Sequence, residues 1–229
     1  LSPISATANV VVNLTPTISV NSGSVCAGTS FTMNPSGAST YSYSSGTNVV
    51  NPSSNSTYSV LGTSVAGCVS TLAAVSTVTV VSLPIISASG GSICPGQSFT
   101  LSPSGASSYS YSSGSAVVSP TVASSYSITG SNASGCIALS PAIVTVGMYS
   151  LPVISVPSGS ICQGGSYTLS PSGAISYTYS SGSAVVSPLT SQTYSIIGTN
   201  VFGCLSPISA TANVVVNLTP TISVNSGSV

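Results

Sequence analysis

Residues Cys94–Pro120 read CPGQSFTLSPSGASSYSYSSGSAVVSP, and Cys162–Pro188 read CQGGSYTLSPSGAISYTYSSGSAVVSP, so that 22 of 27 positions are identical. A more diverged copy of the same stretch starts at Cys26. The cysteines alternate spacings of 42 and 26 residues along the chain: Cys26, Cys68, Cys94, Cys136, Cys162 and Cys204. The chain therefore contains a 68-residue repeat three times over, and a unit of this length can form an independent domain.

Within each repeat, apolar residues alternate with Ser or Thr in segments such as SFTL, SYSYS, AVVSP and ISATANVVVNL. Turn motifs of the forms PSG, SSG and NxxG or SxxG separate these segments, and none of the segments has a helical stripe. Alternation with period two between such turns predicts short antiparallel strands. We expect positive φ at the recurring turn glycines, which in the first copy are Gly37, Gly46, Gly62 and Gly67.

The pattern predicts an all-β chain with a β-sandwich of six or seven strands in each repeat. We assign the last strand of a preceding repeat to 1–14, repeat 1 to 15–82, repeat 2 to 83–150, repeat 3 to 151–218, and the first strand of a following repeat to 219–229. No flexible linker separates the repeats. At about 3.3 Å per strand residue, three stacked repeats would form a stiff rod on the order of 100 Å long.

The two ends of the chain are the same sequence, because Leu1–Val25 and Leu205–Val229 both read LSPISATANVVVNLTPTISVNSGSV. Their offset of 204 residues is three repeat lengths. We interpret this as a super-repeat of three distinct repeats that continues beyond both ends. An alternative is that neighbouring subunits exchange their end segments, so that each completes the sandwich of the other.

Ten of the eleven tyrosines fall at positions that recur from repeat to repeat, if Tyr167 is counted opposite Phe31 and Phe99. Recurrence of large rings at fixed positions is typical of a hydrophobic core rather than of a surface. The predicted core aromatics are Tyr43, Tyr58, Tyr111, Tyr126, Tyr179 and Tyr194.

The motif C-x-G-x-S-[FY]-T-[LM], the aromatic strand YxY, the Tyr in TYSV or TYSII and the closing GC resemble the immunoglobulin-like (PKD-like) tandem repeats of large secreted bacterial surface and filament proteins. The resemblance covers the whole chain and implies a rod- or fibre-like array of Ig-like sandwiches. That family usually has Trp where this chain has Tyr43, Tyr111 and Tyr179. It often binds calcium through acidic residues, which are missing here, so we expect no bound Ca²⁺.

In a secreted chain, an even number of regularly spaced cysteines predicts disulfide bonds. Four alternating strands between the first two cysteines would place both sulfurs at the same pole, which favours the pairs Cys26–Cys68, Cys94–Cys136 and Cys162–Cys204. A fifth strand would place them at opposite poles, and Cys26 would then meet Cys136 across the junction between repeats. A straight stack of repeats with an even strand number also requires an extended segment, for which NSGSV is the candidate.

The composition excludes most chemistry, because the chain has no Asp, Glu, Lys, Arg or His. General acid–base catalysis needs such a group, and a Ser nucleophile needs a base to activate it. Nucleic-acid binding depends on Lys and Arg, and zinc sites on His or paired cysteines, so neither is expected. We therefore predict a non-enzyme without cofactor or metal, and no segment has the ~20 apolar residues of a membrane span.

An uncharged protein surface tends to associate with copies of itself. Covalent sugars could keep such a hydroxyl-rich surface in solution, and O-linked sugars on Ser or Thr are expected more than N-linked ones. The possible N-glycosylation sequons are at Asn13, Asn55, Asn132 and Asn217.

These features favour a structural protein: a segment of an extracellular filament or cell-surface stalk that associates with itself. The alternative is the spacer region of a bacterial adhesin, which carries a binding tip or contacts glycans through its Tyr, Ser and Thr side chains. Binding of ice by ranks of Thr is a third hypothesis, but the Thr positions do not recur cleanly between repeats.

Overall fold

The computed structural model describes residues 7–224 and 227, and these residues form strands and turns with no helix. They contain 18 strands, six in each repeat. Repeat 1 contains β1 (Gly23–Cys26), β2 (Phe31–Thr32), β3 (Thr40–Tyr43), β4 (Val49–Val50), β5 (Ser56–Thr63) and β6 (Ala74–Val81). Repeat 2 contains β7 (Gly91–Ile93), β8 (Phe99–Thr100), β9 (Ser108–Tyr111), β10 (Val117–Val118), β11 (Ser124–Ser131) and β12 (Ala142–Met148). Repeat 3 contains β13 (Gly159–Cys162), β14 (Tyr167–Thr168), β15 (Ser176–Tyr179), β16 (Val185–Val186), β17 (Gln192–Thr199) and β18 (Ala210–Asn217).

Repeats 1 and 3 each fold into a four-stranded sheet and a short two-stranded ladder. The sheet orders are β1-β6-β5-β3 and β13-β18-β17-β15, and the ladders are β2-β4 and β14-β16. Along β5 and β6 the residues alternate between buried and exposed, as a strand with one face on a core requires. The chain is thus an all-β array of Ig-like sandwich repeats, as the period-two pattern predicted.

One strand pair departs from the antiparallel expectation, because the first strand of a repeat runs parallel to the last. β1 pairs with β6 from Gly23↔Val78 to Cys26↔Val81, whereas β5 is antiparallel to both β3 and β6. The segment before β1 lies elsewhere, since Ser19 bridges Ser36. The first and last strands therefore point the same way, and the chain enters repeat 1 at one pole and leaves it at the other.

The Asn21 side chain holds the chain where it changes from one neighbour to the other. Its Nδ2 donates to the Thr32 carbonyl at 3.1 Å, and its Oδ1 accepts from the Asn34 amide at 2.6 Å. Immediately afterwards Ser22 Oγ accepts a hydrogen bond from the Thr77 amide at 2.9 Å, which leads the chain onto β6. The segment NSGSV is thus extended, as expected, and its C-terminal part is most of β1.

The core of each end repeat joins the sheet to the ladder. In repeat 1, Met33, Val50 and Val60 are buried against one another, and Tyr43 and Tyr58 pack onto them half-buried. In repeat 3, Leu169, Val186, Tyr194 and Ile196 form the matching cluster. Tyr179 packs against that cluster, while Tyr111 and Tyr126 in repeat 2 are half-buried.

A second set of tyrosines fastens the turn that precedes β3, β9 and β15. The Tyr41 hydroxyl donates to the Ala38 carbonyl at 2.9 Å and accepts from the Ala38 amide at 3.1 Å. Tyr109 and Tyr177 make the same pair of bonds to Ala106 and Ala174. These hydroxyls satisfy backbone groups of a turn that has no strand partner, which explains why Tyr rather than Phe recurs there.

The glycine expectation holds for three of the four positions. Gly37, Gly46 and Gly67 have φ of 103°, 79° and 83°, but Gly62 does not have a positive φ. Gly62 lies inside β5, where a Cβ would collide with the side chains of Ile18 and Ala38. Position 62 therefore requires glycine because there is no space for a side chain, and not because of the backbone conformation.

Contacts group the described residues into two compact units, and both units contain part of repeat 2. The first comprises residues up to Ser87 with Pro103–Tyr111 and Ser127–Ala142. The second comprises Ala88–Ser102, Ser112–Tyr126 and the residues from Ile143 onward. The repeat boundaries assigned from the sequence are not tested by this grouping and stay a prediction.

The two copies of the terminal sequence differ in conformation. Residues 211–218 include most of β18, where Ala212 and Val214 are fully buried. Residues 7–14 have the same sequence but form no strand, and Val10 is 81% exposed. In this chain only the second copy has strands on both sides, because β18 lies between β13 and β17. Residues 1–6, 225, 226, 228 and 229 of the predicted terminal strands lie outside the described residues.

Two adjacent isoleucines test the core assignment. Ile196 is fully buried, and Ile197 on the opposite face of β17 is 40% exposed. We expect Ile196→Ala to lower the free energy of unfolding by about 2–5 kcal/mol through the cavity it leaves. Ile197→Ala is the matched control and should cost at most about 1 kcal/mol. Urea unfolding followed by tyrosine fluorescence measures both, and equal losses would contradict the assigned face.

Candidate functional site in the disulfide-closed joints

Two disulfide bonds connect consecutive repeats. Cys26 of repeat 1 is bonded to Cys136 of repeat 2, and Cys94 of repeat 2 to Cys204 of repeat 3. Their Cα–Cα distances are 5.5 and 5.4 Å, within the usual range for disulfides. Each bond closes a joint inside one of the two compact units. The favoured prediction of the pairs Cys26–Cys68, Cys94–Cys136 and Cys162–Cys204 is wrong, and the alternative across the repeat junction is correct.

Strand direction explains the correction. β1 is parallel to β6, and β6 is antiparallel to β5, so β1 and β5 run in opposite directions. Cys26 ends β1, and Cys68 lies just beyond the end of β5, so their sulfurs are at opposite poles. The prediction counted β4 as a strand that reverses the chain direction between β3 and β5, which would make β3 and β5 parallel. Because β3 and β5 are antiparallel, only one net reversal separates them.

In the first joint, the turn Asn132–Cys136 closes over the end of β6. The Asn132 Nδ2 donates to the Ser82 carbonyl at 3.0 Å. Its Oδ1 accepts from the amides of Ser134 and Cys136, both at 3.0 Å. One side chain therefore shapes the turn that carries the sulfur and also anchors this turn to the preceding repeat.

The second joint has the same arrangement with an added aromatic contact. The Asn200 Nδ2 donates to the Ser150 carbonyl at 2.8 Å, and its Oδ1 accepts from the amides of Phe202 and Cys204. The rings of Tyr149 and Phe202 are stacked, with centroids 3.9 Å apart and an interplanar angle of 6°. Such a pair adds roughly 0.5–1.5 kcal/mol to the burial of the two rings.

The sequence pointed to Asn132 only as a sequon and did not single out Asn200 at all. The available signal was the NxxG turn immediately before a Cys, which occurs at both positions. Of the other sequon residues, Asn13, Asn55 and Asn217 are exposed. Asn55 Oδ1 accepts from the Val80 amide at 2.8 Å. Sugars at any of the four sequons remain a prediction.

The remaining two cysteines are not bonded. Cys68 is half-buried, and its Sγ lies 3.7 Å from the Asn13 carbonyl oxygen. Cys162 is exposed at the end of β13. Among the described residues, no group of three or more His, Cys, Asp or Glu side chains lies close enough together to hold a metal ion.

Over residues 7–224 and 227, no helix is long and apolar enough to cross a membrane.

Known structures with tandem Ig domains are similar to this chain. A three-Ig fragment of titin, I67–I69 in an E-to-A variant, aligns over 91% of this chain and 100% of its own, with 10% identity and a TM-score of 0.41. The five Ig domains of Sidekick-1 align over 89% of this chain and 60% of theirs, with 13% identity and a TM-score of 0.34. A Ca²⁺-stabilized adhesin of an Antarctic bacterium that binds ice aligns over 91% and 75%, with 12% identity and a TM-score of 0.40. At these values the similarity concerns the fold alone.

No protein-family model matches the chain. No curated protein sequence matches it.

The pairing can be checked by peptide mapping without reduction. Trypsin has no site in a chain without Lys or Arg, so chymotrypsin is the suitable protease. We expect Cys26, in the peptide 15–31, to be linked to Cys136, in the peptide 127–139, and Cys94 to be linked to Cys204. A bond between Cys26 and Cys68 would restore the pairing within repeats. In the chain-entropy model, reduction of a disulfide that closes a loop this long lowers the free energy of unfolding by about 4–5 kcal/mol. Thermal unfolding with and without reductant would measure this loss.

Proposed function

We propose that this chain is a load-bearing structural segment of an extracellular filament or cell-surface stalk built from tandem Ig-like repeats, without catalytic activity. The observation that carries the proposal is the covalent bond between consecutive repeats at both joints. Persistent disulfides are typical of secreted and surface proteins, which supports a location outside the cell.

The two bonds overlap along the chain, and the overlap changes how the chain carries tension. A force applied between Cys26 and Cys204 can pass through one disulfide to Cys136, back along the backbone to Cys94, and through the other disulfide. That path contains 42 residue steps of backbone, whereas the direct backbone has 178. Unfolding of the repeats therefore cannot lengthen the chain to its full contour while the disulfides are intact.

The surface also suits permanent association. Each repeat exposes an apolar residue just after the cysteine turn: Val69 at 51%, Ile137 at 64% and Leu205 at 59% exposure. Because the protein has no charged side chain, electrostatic repulsion between side chains does not keep neighbouring copies apart.

Single-molecule stretching tests the load-bearing role. With the disulfides intact, the reach between Cys26 and Cys204 should be limited to about 150 Å, and after reduction it should rise to about 600 Å at ~3.4 Å per residue. The double variant Cys94→Ser, Cys204→Ser is the control, because the remaining Cys26–Cys136 bond leaves 68 residue steps of backbone from 136 to 204 and should limit the reach to about 240 Å at ~3.4 Å per residue. Equal contour lengths before and after reduction would contradict the load path.

Electron microscopy tests the filament itself. We expect the protein in its native surroundings to form thin fibres with an axial repeat of three Ig-like repeats, because the terminal sequences recur at that period. Purified protein that stays monodisperse and monomeric at high concentration would count against a filament and in favour of an adhesin spacer.

A further inference from the structure

The two unbonded cysteines occupy the positions that are bonded elsewhere in the chain. Cys162 is the equivalent of Cys26 and Cys94, and Cys68 is the equivalent of Cys136 and Cys204. Both observed disulfides join residues separated by 110 positions, always from the first kind to the second. In that order, the positions at that separation from Cys162 and Cys68 fall outside residues 1–229.

The region around Cys162 is one half of a joint. Cys162 lies in register with Asn217 of the parallel strand β18, as Cys26 does with Val81. The next amide, of Gln163, donates to the Asn217 carbonyl at 2.9 Å, the same bond and distance as between Ala27 and Val81. The sulfur is therefore placed as in a complete joint, but the residue is exposed because no cysteine turn covers it.

The region around Cys68 is the other half. The Ser64 amide donates to the Cys68 carbonyl at 2.9 Å, and the Cys68 amide donates to Ser64 Oγ at 3.2 Å. Gly67 has the same positive φ, 83°, as Gly135 and Gly203 at 81° and 82°. The turn thus has the conformation of the bonded turns. Its cysteine is only half-buried, whereas Cys136 and Cys204 are 2% and 1% exposed.

We propose that Cys162 of one copy of this chain and Cys68 of a second copy form a disulfide equivalent to the two within the chain, so that the covalent series continues from copy to copy. The identical terminal segments set the offset between successive copies at 204 residues. At that offset Cys68 of the second copy follows Cys162 by 110 positions, which is the separation of both observed bonds. This inference rests on the proposed filament function and names its partner.

The second copy can be accommodated without new packing. In this chain Asn13 lies beside Cys68. Its equivalents in the two complete joints are Val81, which is in register with Cys26, and Tyr149, whose amide donates to the Ile93 carbonyl next to Cys94. Residues 7–14 form no strand, so no strand pairing has to break when another segment takes their place. Asn217 and Leu218 of the preceding copy are identical to Asn13 and Leu14 and can replace them like for like.

Bond formation is an oxidation of two thiols. The two sulfurs form an S–S bond while two S–H bonds break. A low-molecular-weight disulfide such as oxidised glutathione takes up the two electrons and the two protons, and its own S–S bond becomes two thiols.

The experiment uses the full chain with a mixture of oxidised and reduced glutathione, followed by gel electrophoresis without reductant. We expect a ladder of multimers that collapses to monomer on reduction, and a chymotryptic peptide 62–72 linked through Cys68 to the peptide that carries Cys162. The variants Cys68→Ser and Cys162→Ser keep both internal disulfides and should each abolish the ladder. An equimolar mixture of the two variants should give heterodimers and no longer species.

Those heterodimers should exceed the homodimers of either variant by on the order of ten-fold, because docking raises the effective concentration of the matched thiols. Homodimers as abundant as the heterodimers, or no ladder from the unchanged chain, would overturn the inference. Microscopy separates this from the filament proposal. Fibres from the unchanged chain without a ladder would refute the covalent link alone, and a ladder without fibres would refute the filament alone.

Discussion

The parallel pairing of the first strand of a repeat with the last strand is the constraint on which the rest of the structure depends. The chain first pairs beside Ser36, is held at Asn21 by hydrogen bonds to Thr32 and Asn34, and then joins β6 as β1. Because the two strands point the same way, the chain enters and leaves a repeat at opposite poles. A fully antiparallel repeat with six strands would return the chain to its starting pole and could not pass it directly to a following repeat.

The same constraint decides what the cysteines do. With β1 and β5 in opposite directions, the two sulfurs of one repeat cannot meet, and both disulfides that form join adjacent repeats. The disulfides consequently act as connections between domains rather than as staples within them. The asparagine that shapes each bonded cysteine turn also holds the end of the preceding repeat, so the turn, the hydrogen bonds and the disulfide strengthen one joint together.

Much of the fold was accessible from local patterns, and the exceptions have physical causes. The period-two alternation predicted the strands, and turn motifs predicted positive φ at Gly37, Gly46 and Gly67. Gly62 followed the same recurrence for another reason, the close approach of Ile18, which no local pattern records. The joint residues Asn132 and Asn200 were recognisable only as turn residues, because their second contact lies 50 positions away in the chain.

Composition and periodicity alone determined that this chain is all-β, threefold repeated and without Asp, Glu, Lys, Arg or His, since these properties follow from residue type and spacing. Only the tertiary structure decided which cysteines pair, because pole and partner depend on the direction of every strand in a sheet and a single miscounted reversal inverts the answer. It also gave one sequence two conformations. Residues 211–217 lie between two strands with Ala212 and Val214 buried, whereas residues 7–14 form no strand and are exposed, because a strand requires neighbours that its own sequence does not contain.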